Sequence, residues 1–208
     1  MSIIDHINKT ARKVPTWPVY LIGALPPVWY FYLGLTGRLG VEPITAMEHK
    51  LGLLTLQVLI AGLLITPLRK YAGLNLIKFR RALGLISFYL LSAHLLVWLV
   101  LDIGDPARIW ADIVKRPYIT IGMLSFLILV PLAATSYNAA IRKLGKRWRQ
   151  LHMLVYPAVA LGGVHFLLLR KGWQLEPIFY LLGIAAVLAL RLPVKRWLAA
   201  RQVQRPAS

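Results

Sequence analysis

Three histidines, His94, His152 and His165, lie inside apolar segments of the chain, where no other ionisable side chain lies as deep. An ionisable group in a membrane-spanning helix costs roughly 2–3 kcal/mol or more when it is charged at the bilayer centre, so such residues usually have a function. A neutral imidazole is the commonest metal ligand in proteins and the usual axial ligand of haem iron. The three histidines are therefore the first candidates for a redox centre.

His94 and His165 are predicted to lie at similar depth on two different helices. His94 lies past the middle of the apolar segment 82–101, and His165 lies near the end of the segment 151–169. A haem between two helices of a bundle needs this arrangement, with one imidazole on each face of the porphyrin. The alternative is a histidine hydrogen-bonded to a carbonyl or hydroxyl of a neighbouring helix. The matched depth favours His94 and His165 as axial ligands of one haem.

His152 lies thirteen residues before His165 on the same predicted helix, which is about 20 Å at 1.5 Å per residue. This position suits a second redox centre near the inner membrane surface, although no other histidine is predicted at that level. The spacing leaves the two side chains off a common face unless Pro157 or the pair Gly162-Gly163 kinks the helix. The alternative is an interfacial histidine next to KRWRQLH that binds lipid phosphate or an anionic cofactor. Both interpretations stay open.

The remaining histidines and the basic loops have simpler interpretations. His49, at the outer start of the second apolar segment, suits a surface or partner contact, and His6 is expected to be solvated. The loops containing FRRALG and LGKRWRQLH are typical of topology signals that contact lipid headgroups. They could also form an anion site for a flavin phosphate or a docking face for a reductase. We favour the topology interpretation.

Composition indicates an integral membrane protein. Hydrophobic residues make up 58% of the 208 residues and the mean hydropathy is +0.63, against about 45–50% apolar residues in soluble domains. The chain has no cysteine, which excludes disulfides, iron–sulfur clusters, thiolate chemistry and covalent haem attachment. A bound haem would therefore be b-type. The net charge of +18 lies mainly in loops that flank apolar segments, which argues against nucleic-acid binding.

The apolar segments predict an all-α membrane bundle with six transmembrane helices, each close to the roughly 20 residues that cross a bilayer. We expect a single membrane domain over 1–208, with the bundle at 18–192 and short basic tails at 1–17 and 193–208. The first apolar segment is too long for a signal peptide and lacks a cleavage site, so we interpret it as a retained helix. The six predicted spans are 18–35, 51–68, 82–101, 117–135, 151–169 and 175–192.

The charges predict the orientation of the bundle. Of the 25 basic residues, 18 lie in the two tails and in the loops after the second and fourth spans, whereas every acidic residue except Asp5 lies on the opposite side. By the positive-inside rule both termini are cytoplasmic. The chain has no room for a nucleotide-binding domain, so any chemistry that uses NAD(P)H would need a partner protein.

Six helices, histidines on the third and fifth of them and the absence of cysteine resemble the ferric-reductase-like transmembrane domain superfamily. Within it the chain is most similar to the MsrQ family, the haem-binding membrane subunits of bacterial protein-methionine-sulfoxide reductase systems. The resemblance extends from the first span to about residue 196. The segments on which it rests are LLITPLRKYA, RRALGL, the helix of His94, RPYITIG, LGKRWRQLHMLVY and His165.

This resemblance implies a protein of the bacterial inner membrane that binds haem b and FMN. It implies electrons taken from the respiratory quinone pool, or from a cytosolic flavin reductase. The acceptor would be a periplasmic molybdenum-cofactor subunit, MsrP, which reduces methionine sulfoxide in oxidised periplasmic proteins. The membrane histidines of the family match His94, His152 and His165. The superfamily pattern for two bis-histidine haems has two histidines on the third helix, and here only His94 is there.

We therefore interpret the chain as an electron-transfer subunit whose own residues do not perform the sulfoxide chemistry. One rival is another transmembrane cytochrome b, such as a ferric or cupric reductase or a quinone-linked cytochrome with a different acceptor. The other rival is a non-redox scaffold or transporter in which the histidines pack or relay protons. Transporters often show repeat symmetry and interrupted helices, and the sequence shows no clear sign of either.

Overall fold

The structure, a computed structural model, describes residues 2–169 and 174–191. Within these ranges the chain is helical and contains no β-strand, which confirms the all-α prediction. The helix Arg80–Leu96 continues directly into a π-helical segment, Val97–Ile103. The helices are α1 (Ile3–Lys13), α2 (Trp17–Leu35), α3 (Pro43–Ala72), α4 (Arg80–Leu96), α5 (Pro106–Lys115), α6 (Pro117–Ala134), α7 (Asn138–Leu144), α8 (Lys146–His152), α9 (Val155–Leu169) and α10 (Leu175–Ala189).

Five helical segments of the described chain are long and apolar enough to cross a bilayer. They are α2, α3, α4 with its continuation to Ile103, α6, and α8 together with α9, and each overlaps a predicted span. The predicted sixth span, 175–192, folds as α10, whose 15 residues are fewer than the roughly 20 of a perpendicular crossing. The tail 193–208 lies outside the described residues. Six crossings and cytoplasmic termini stay predictions.

The connections that are rich in basic residues gather at one end of the bundle. At the end that we call the basic end, formed by α1, residues 73–79 and α7, Asn8 Nδ2 donates to the Gly73 carbonyl at 2.9 Å. At the same end, Arg81 Nη1 donates to Asn138 Oδ1 at 2.6 Å. The opposite end, which we call the acidic end, is formed by residues 36–42 and α5. The amphipathic helix α5 connects α4 to α6 there and is not one of the candidate spans.

The core lies where α4 packs along α3 and α6 packs along α9. Its centre is closed by Ala158 and Val159 of α9, which have no exposed surface. Ser125 of α6 donates its hydroxyl to the Ala158 carbonyl at 2.8 Å, a cross-helix hydrogen bond of the kind that stabilises membrane bundles. The helix α2 packs at the margin of the bundle and has no buried residue. The central pairs α3–α4 and α6–α9 therefore form the frame in which a site can be held rigidly.

The segment that contains both His152 and His165 is interrupted between α8 and α9. Turns at Met153 and Leu154 separate the two helices, and the Met153 carbonyl accepts a hydrogen bond from Tyr156 N at 3.1 Å. The cause is Pro157, which has no N–H to donate to the carbonyl four residues earlier. Because of this break, His152 and His165 do not lie on one continuous helix. Their relative direction therefore does not follow from a count of 100° per residue.

A proline inside α3 leaves one backbone carbonyl without its helical hydrogen-bond donor, and an arginine distant in sequence donates to that carbonyl. Pro67 cannot donate to the Leu63 carbonyl one turn earlier. Arg191, which follows α10, donates through Nε to that carbonyl at 3.0 Å and also through Nη2. The same guanidinium donates to the Tyr156 hydroxyl at 3.0 Å and to Thr66 Oγ1 at 3.1 Å. Arg191 therefore ties α10 and α9 to the proline position of α3.

Candidate functional site

The structure places two of the three candidate histidines side by side. The ring centroids of His94, on α4, and His165, on α9, lie 6.4 Å apart, and the ring planes are inclined at 77°. A metal bonded to an imidazole nitrogen at about 2.0–2.1 Å lies roughly 3 Å from the ring centroid, so two rings on opposite sides of one metal have centroids roughly 6 Å apart. The spacing of the two rings fits a single metal bound by both.

Backbone hydrogen bonds select the tautomer of both rings. The Nδ1 of His94 lies 3.0 Å from the Glu48 carbonyl of α3, and the Nδ1 of His165 lies 2.7 Å from the Tyr118 carbonyl of α6. A carbonyl oxygen only accepts, so Nδ1 of each neutral ring has the proton and Nε2 has the free lone pair. Metal-binding histidines typically make this second hydrogen bond, which fixes the ring and increases the basicity of the ligand nitrogen. Both rings are therefore prepared to bind a metal through Nε2.

Two glycines make room for these two rings. A Cβ at Gly52 of α3 would lie 3.2 Å from Cε1 of His94, and a Cβ at Gly122 of α6 would lie 2.7 Å from Nδ1 of His165. Gly52 lies four residues after Glu48, and Gly122 lies four residues after Tyr118, so each glycine is one turn beyond the accepting carbonyl on the same face. Each imidazole is therefore positioned in the same way: a helix carbonyl accepts its hydrogen bond, and a glycine one turn later leaves space for the ring.

The two histidines line a cavity of about 300 Å³ near the acidic end, which we call the outer cavity. Its wall is mainly apolar, and two of its hydroxyls donate to backbone carbonyls, Thr55 to Leu51 and Ser125 to Ala158, both at 2.8 Å. The buried atom Glu48 Oε1, by contrast, has no hydrogen-bond partner within the described structure. A flat apolar ligand with a few polar groups fits this lining.

A cation lies at the rim of the outer cavity. Arg116 Nε lies 3.3 Å from Asp112 Oδ1, and its Nη1 donates to the Tyr118 hydroxyl at 3.2 Å. The hydrogen bond to Tyr118 raises the pKa of the guanidinium, which is therefore charged at every physiological pH. Tyr118 links this cation to His165, because its carbonyl accepts from the imidazole. The rim thus has a guanidinium suited to bind a carboxylate of an occupant.

His152 lies in a separate and larger cavity near the basic end. This inner cavity has a volume of about 760 Å³, and Arg80, Arg81 and Arg149 are among its lining residues. The Nδ1 of His152 lies 3.1 Å from the Trp148 carbonyl, and its Nε2 lies 3.3 Å from Ser136 Oγ, which itself donates to the Leu132 carbonyl at 2.6 Å. The described chain places no second histidine in this cavity. The arrangement offers one imidazole nitrogen beside three guanidinium groups.

The two cavities share a wall. Leu59 lines both of them, and the stacked pair Phe88–Phe126, with centroids 5.6 Å apart, joins the lining of the inner cavity to that of the outer cavity. Leu59 and the two aromatic rings therefore lie between the two sites.

Sequence reasoning missed several residues of the outer site. His49, for which a surface or partner contact was expected, is half-buried within α3 and also lines the outer cavity. Gly52, Gly122 and the carbonyl of Tyr118 were not singled out, because nothing in a single sequence shows which glycine or carbonyl faces a given ring. The segment RPYITIG contains two of these three features, so its presence in the family resemblance was the available signal.

The comparisons with known proteins agree with this architecture. The sequence family described as ferric reductase like transmembrane component matches residues 49–163, which is just over half of the chain, so the chain belongs to this family of membrane proteins. Curated relatives from Brucella ovis, Brucella canis and Brucella suis are 51% identical to it over 177 residues, which are 85% of the chain and 80% of each relative. Each relative is named protein-methionine-sulfoxide reductase heme-binding subunit MsrQ. The chain is a member of the MsrQ family. No solved structure matches it.

Proposed function

We propose that the chain is the haem b subunit of a protein-methionine-sulfoxide reductase system and conducts electrons across the inner membrane. The observation that supports this most directly is the pair His94–His165, whose rings are 6.4 Å apart and whose Nδ1 atoms are both bonded to backbone carbonyls. In this proposal His94 and His165 would hold one haem iron through their Nε2 atoms. A bound haem supplies reversible one-electron chemistry at the iron.

The protein would control this chemistry by position and environment. The hydrogen bonds from His94 and His165 to helix carbonyls hold both imidazoles against rotation. The apolar wall of the outer cavity excludes water and lowers the local dielectric. Arg116 and the Tyr118 hydroxyl, at the rim, are the groups that would bind the propionates of a haem. None of these residues is arranged to act on methionine sulfoxide, so a partner must perform that reaction.

His152 would serve a second, inner cofactor. His152 is the residue that would hold the iron of a haem in this cavity, and the guanidinium groups of Arg80, Arg81 and Arg149 are suited to the phosphate of FMN. We propose that the inner cavity is where electrons enter the protein, from the quinone pool or from a cytosolic flavin reductase. The shared wall at Leu59, Phe88 and Phe126 would keep the inner and outer cofactors close enough for transfer between them.

The orientation follows from the charges. If the basic end faces the cytoplasm, as the positive-inside rule predicts, the inner cavity faces the cytosolic donor and the outer cavity lies near the periplasm. Electrons would then leave near the acidic end. The acceptor would be the periplasmic molybdenum-cofactor subunit of the system, an MsrP-like protein that repairs oxidised periplasmic proteins.

The test is a reoxidation assay with the purified protein in lipid nanodiscs. The haem is reduced with a stoichiometric amount of dithionite, and the periplasmic molybdoenzyme from the same genome is added together with methionine sulfoxide. The proposal predicts rapid reoxidation that needs both additions. Reoxidation by ferric or cupric chelates with no response to the molybdoenzyme would support a metal reductase instead. A folded protein with no haem after haem-replete expression would support the transporter or scaffold.

A further inference from the structure

The amphipathic helix α1 has no role in the electron path, yet it is fixed to the bundle. Asn8 uses both ends of its amide: Nδ2 donates to the Gly73 carbonyl at 2.9 Å, and Oδ1 accepts from Asn75 N at 2.8 Å. Lys78 Nζ donates to the Arg12 carbonyl at 2.9 Å. These bonds hold α1 against the connection between α3 and α4. Its position is therefore part of the fold and not that of a loose tail.

One face of the docked helix is apolar and exposed. Ile3 is 81% exposed and Ile7 is 42% exposed, and the two side chains are about 40° apart around the helix axis. Val14, which follows the last turn, is 40% exposed. Ala11, by contrast, is buried against the protein. The exposed stripe formed by Ile3, Ile7 and Val14 borders the face with which α1 contacts the bundle, because Ala11 lies only about 40° from Ile7 around the helix axis.

The location of α1 brings this stripe to the membrane surface. The helix α1 ends at Lys13 and the first candidate span begins at Trp17. The three residues between them reach at most about 10 Å when fully extended. Trp17 is 61% exposed, as is typical of an aromatic residue at a membrane interface. The helix therefore cannot leave the level at which the bundle enters the bilayer.

The charge of α1 matches an anionic surface. Lys9, Arg12 and Lys13 lie on the face away from Ile7, and Asp5 is the only acidic residue of the helix. Apolar residues on one face and basic residues on the other are the signature of helices that lie in the plane of a membrane interface. Basic residues near such a surface are attracted to anionic lipid headgroups.

We propose that α1 is a lipid-binding interfacial helix. Ile3, Ile7 and Val14 lie among the acyl chains at the boundary of the inner leaflet, and Lys9 and Lys13 bind anionic lipid headgroups. This proposal does not depend on haem binding or on the redox partner. It distinguishes the stripe from a docking site for a cytosolic protein, which would leave the same residues in water when the chain is alone in a bilayer.

The absence of native cysteine makes the test direct, because a single introduced thiol is the only labelling site. Ile7→Cys and Lys9→Cys are each labelled with an environment-sensitive fluorophore in the full chain, in vesicles of phosphatidylcholine and phosphatidylglycerol. The two positions point about 160° apart. The proposal predicts about threefold more quenching by nitroxide-labelled lipid at position 7 than at position 9, and the reverse order for aqueous iodide. A monodisperse elution profile and an unchanged thermal unfolding midpoint verify folding.

Other outcomes would overturn the proposal. Equal access of iodide to both labels would place the stripe in water, as a protein-docking surface requires. Protection of position 7 from both iodide and the lipid quencher would show that protein covers it, for example a second copy of the chain. The charge is tested by Lys9→Gln with Lys13→Gln in the chain labelled at position 7. Lipid quenching should rise with phosphatidylglycerol content in the parent and stay flat in this variant, with Lys115→Gln as the control at the acidic end.

Discussion

Gly122 lies so close to the His165 imidazole that a Cβ at this position would stand 2.7 Å from Nδ1. The contact comes from the same hydrogen bond that fixes the ring, because Nδ1 reaches the Tyr118 carbonyl one turn before the glycine. His94 has the same relation to Gly52 and the Glu48 carbonyl. The position of each histidine ring therefore requires a glycine, which has no side chain, in the neighbouring helix.

Gly122→Ala should displace His165 and weaken haem binding. The methyl group meets backbone-anchored ring atoms and not the end of a flexible chain, so the ring must turn away from the Tyr118 carbonyl. Loss of such an outer-shell partner typically costs about 10–100-fold in metal affinity. The haem-to-protein ratio of the purified variant measures the effect. Gly183→Ala, where the added methyl group meets open space, is the control and should keep the wild-type ratio.

Gly52→Ala should have a smaller effect than Gly122→Ala. The added methyl group would lie 3.2 Å from Cε1 of His94, a contact that a shift of a few tenths of an ångström relieves. We expect the haem to be retained, with an altered low-spin spectrum by electron paramagnetic resonance because the ring has moved. Complete loss of haem in this variant with full retention in Gly122→Ala would contradict the order that the geometry requires.

His152→Ala should leave the outer haem intact. His152 lies in the inner cavity, and the shared wall separates it from the rings of His94 and His165. The variant should therefore keep the spectral component that His94→Ala removes and lose any component of the inner cofactor. Redox titration of the purified variant, followed at the α-band, separates the two. Loss of all haem in His152→Ala, in protein that remains folded, would place an essential ligand in the inner cavity.

Arg191→Met should destabilise the bundle because it leaves the Leu63 carbonyl without a hydrogen-bond donor. The Leu63 carbonyl has no helical donor because residue 67 is proline, and Arg191 satisfies it. Removal of a charged hydrogen-bond partner typically costs about 1–3 kcal/mol. Thermal unfolding in detergent measures the loss.

A double-mutant cycle isolates this interaction. Pro67→Ala returns an N–H to the helix at the position that can bond to the Leu63 carbonyl. The cost of Arg191→Met should therefore be smaller in the Pro67→Ala background than in the wild type. Equal costs in both backgrounds would show that Arg191 acts through its other contacts, with Tyr156 and Thr66.

The sequence predicted that His94 and His165 lie near each other. Basic residues mark one end of each apolar segment, so the number of residues from that end gives the depth of each histidine in the membrane. The same reasoning does not predict which face of each helix points towards the histidines. The structure was therefore needed to identify the accepting carbonyls of Glu48 and Tyr118 and the two glycines. The break before α9 was one of several options, because Pro157 can end a helix or bend it.

The bounds of two helices departed from the hydropathy pattern for a common reason. The helix α3 begins at Pro43 and not at 51, because charged residues in its first two turns reduce the hydropathy without preventing helix formation. The helix α5 is amphipathic and not a span, and its start is marked by Asp105, whose side chain accepts from Ala107 N, and by Pro106. In both cases a proline at the first helical position, Pro43 or Pro106, marks the start of the helix.

The central claim is that His94 and His165 bind one haem iron between them. The most direct measurement is the reduced-minus-oxidised spectrum of the purified wild type, of His94→Ala and of His165→Ala, with His49→Ala as a control from the same cavity. The account predicts a b-type α-band in the wild type and in His49→Ala, and loss of the same band component in both of the other variants. Full retention of that band in both His94→Ala and His165→Ala would contradict the account.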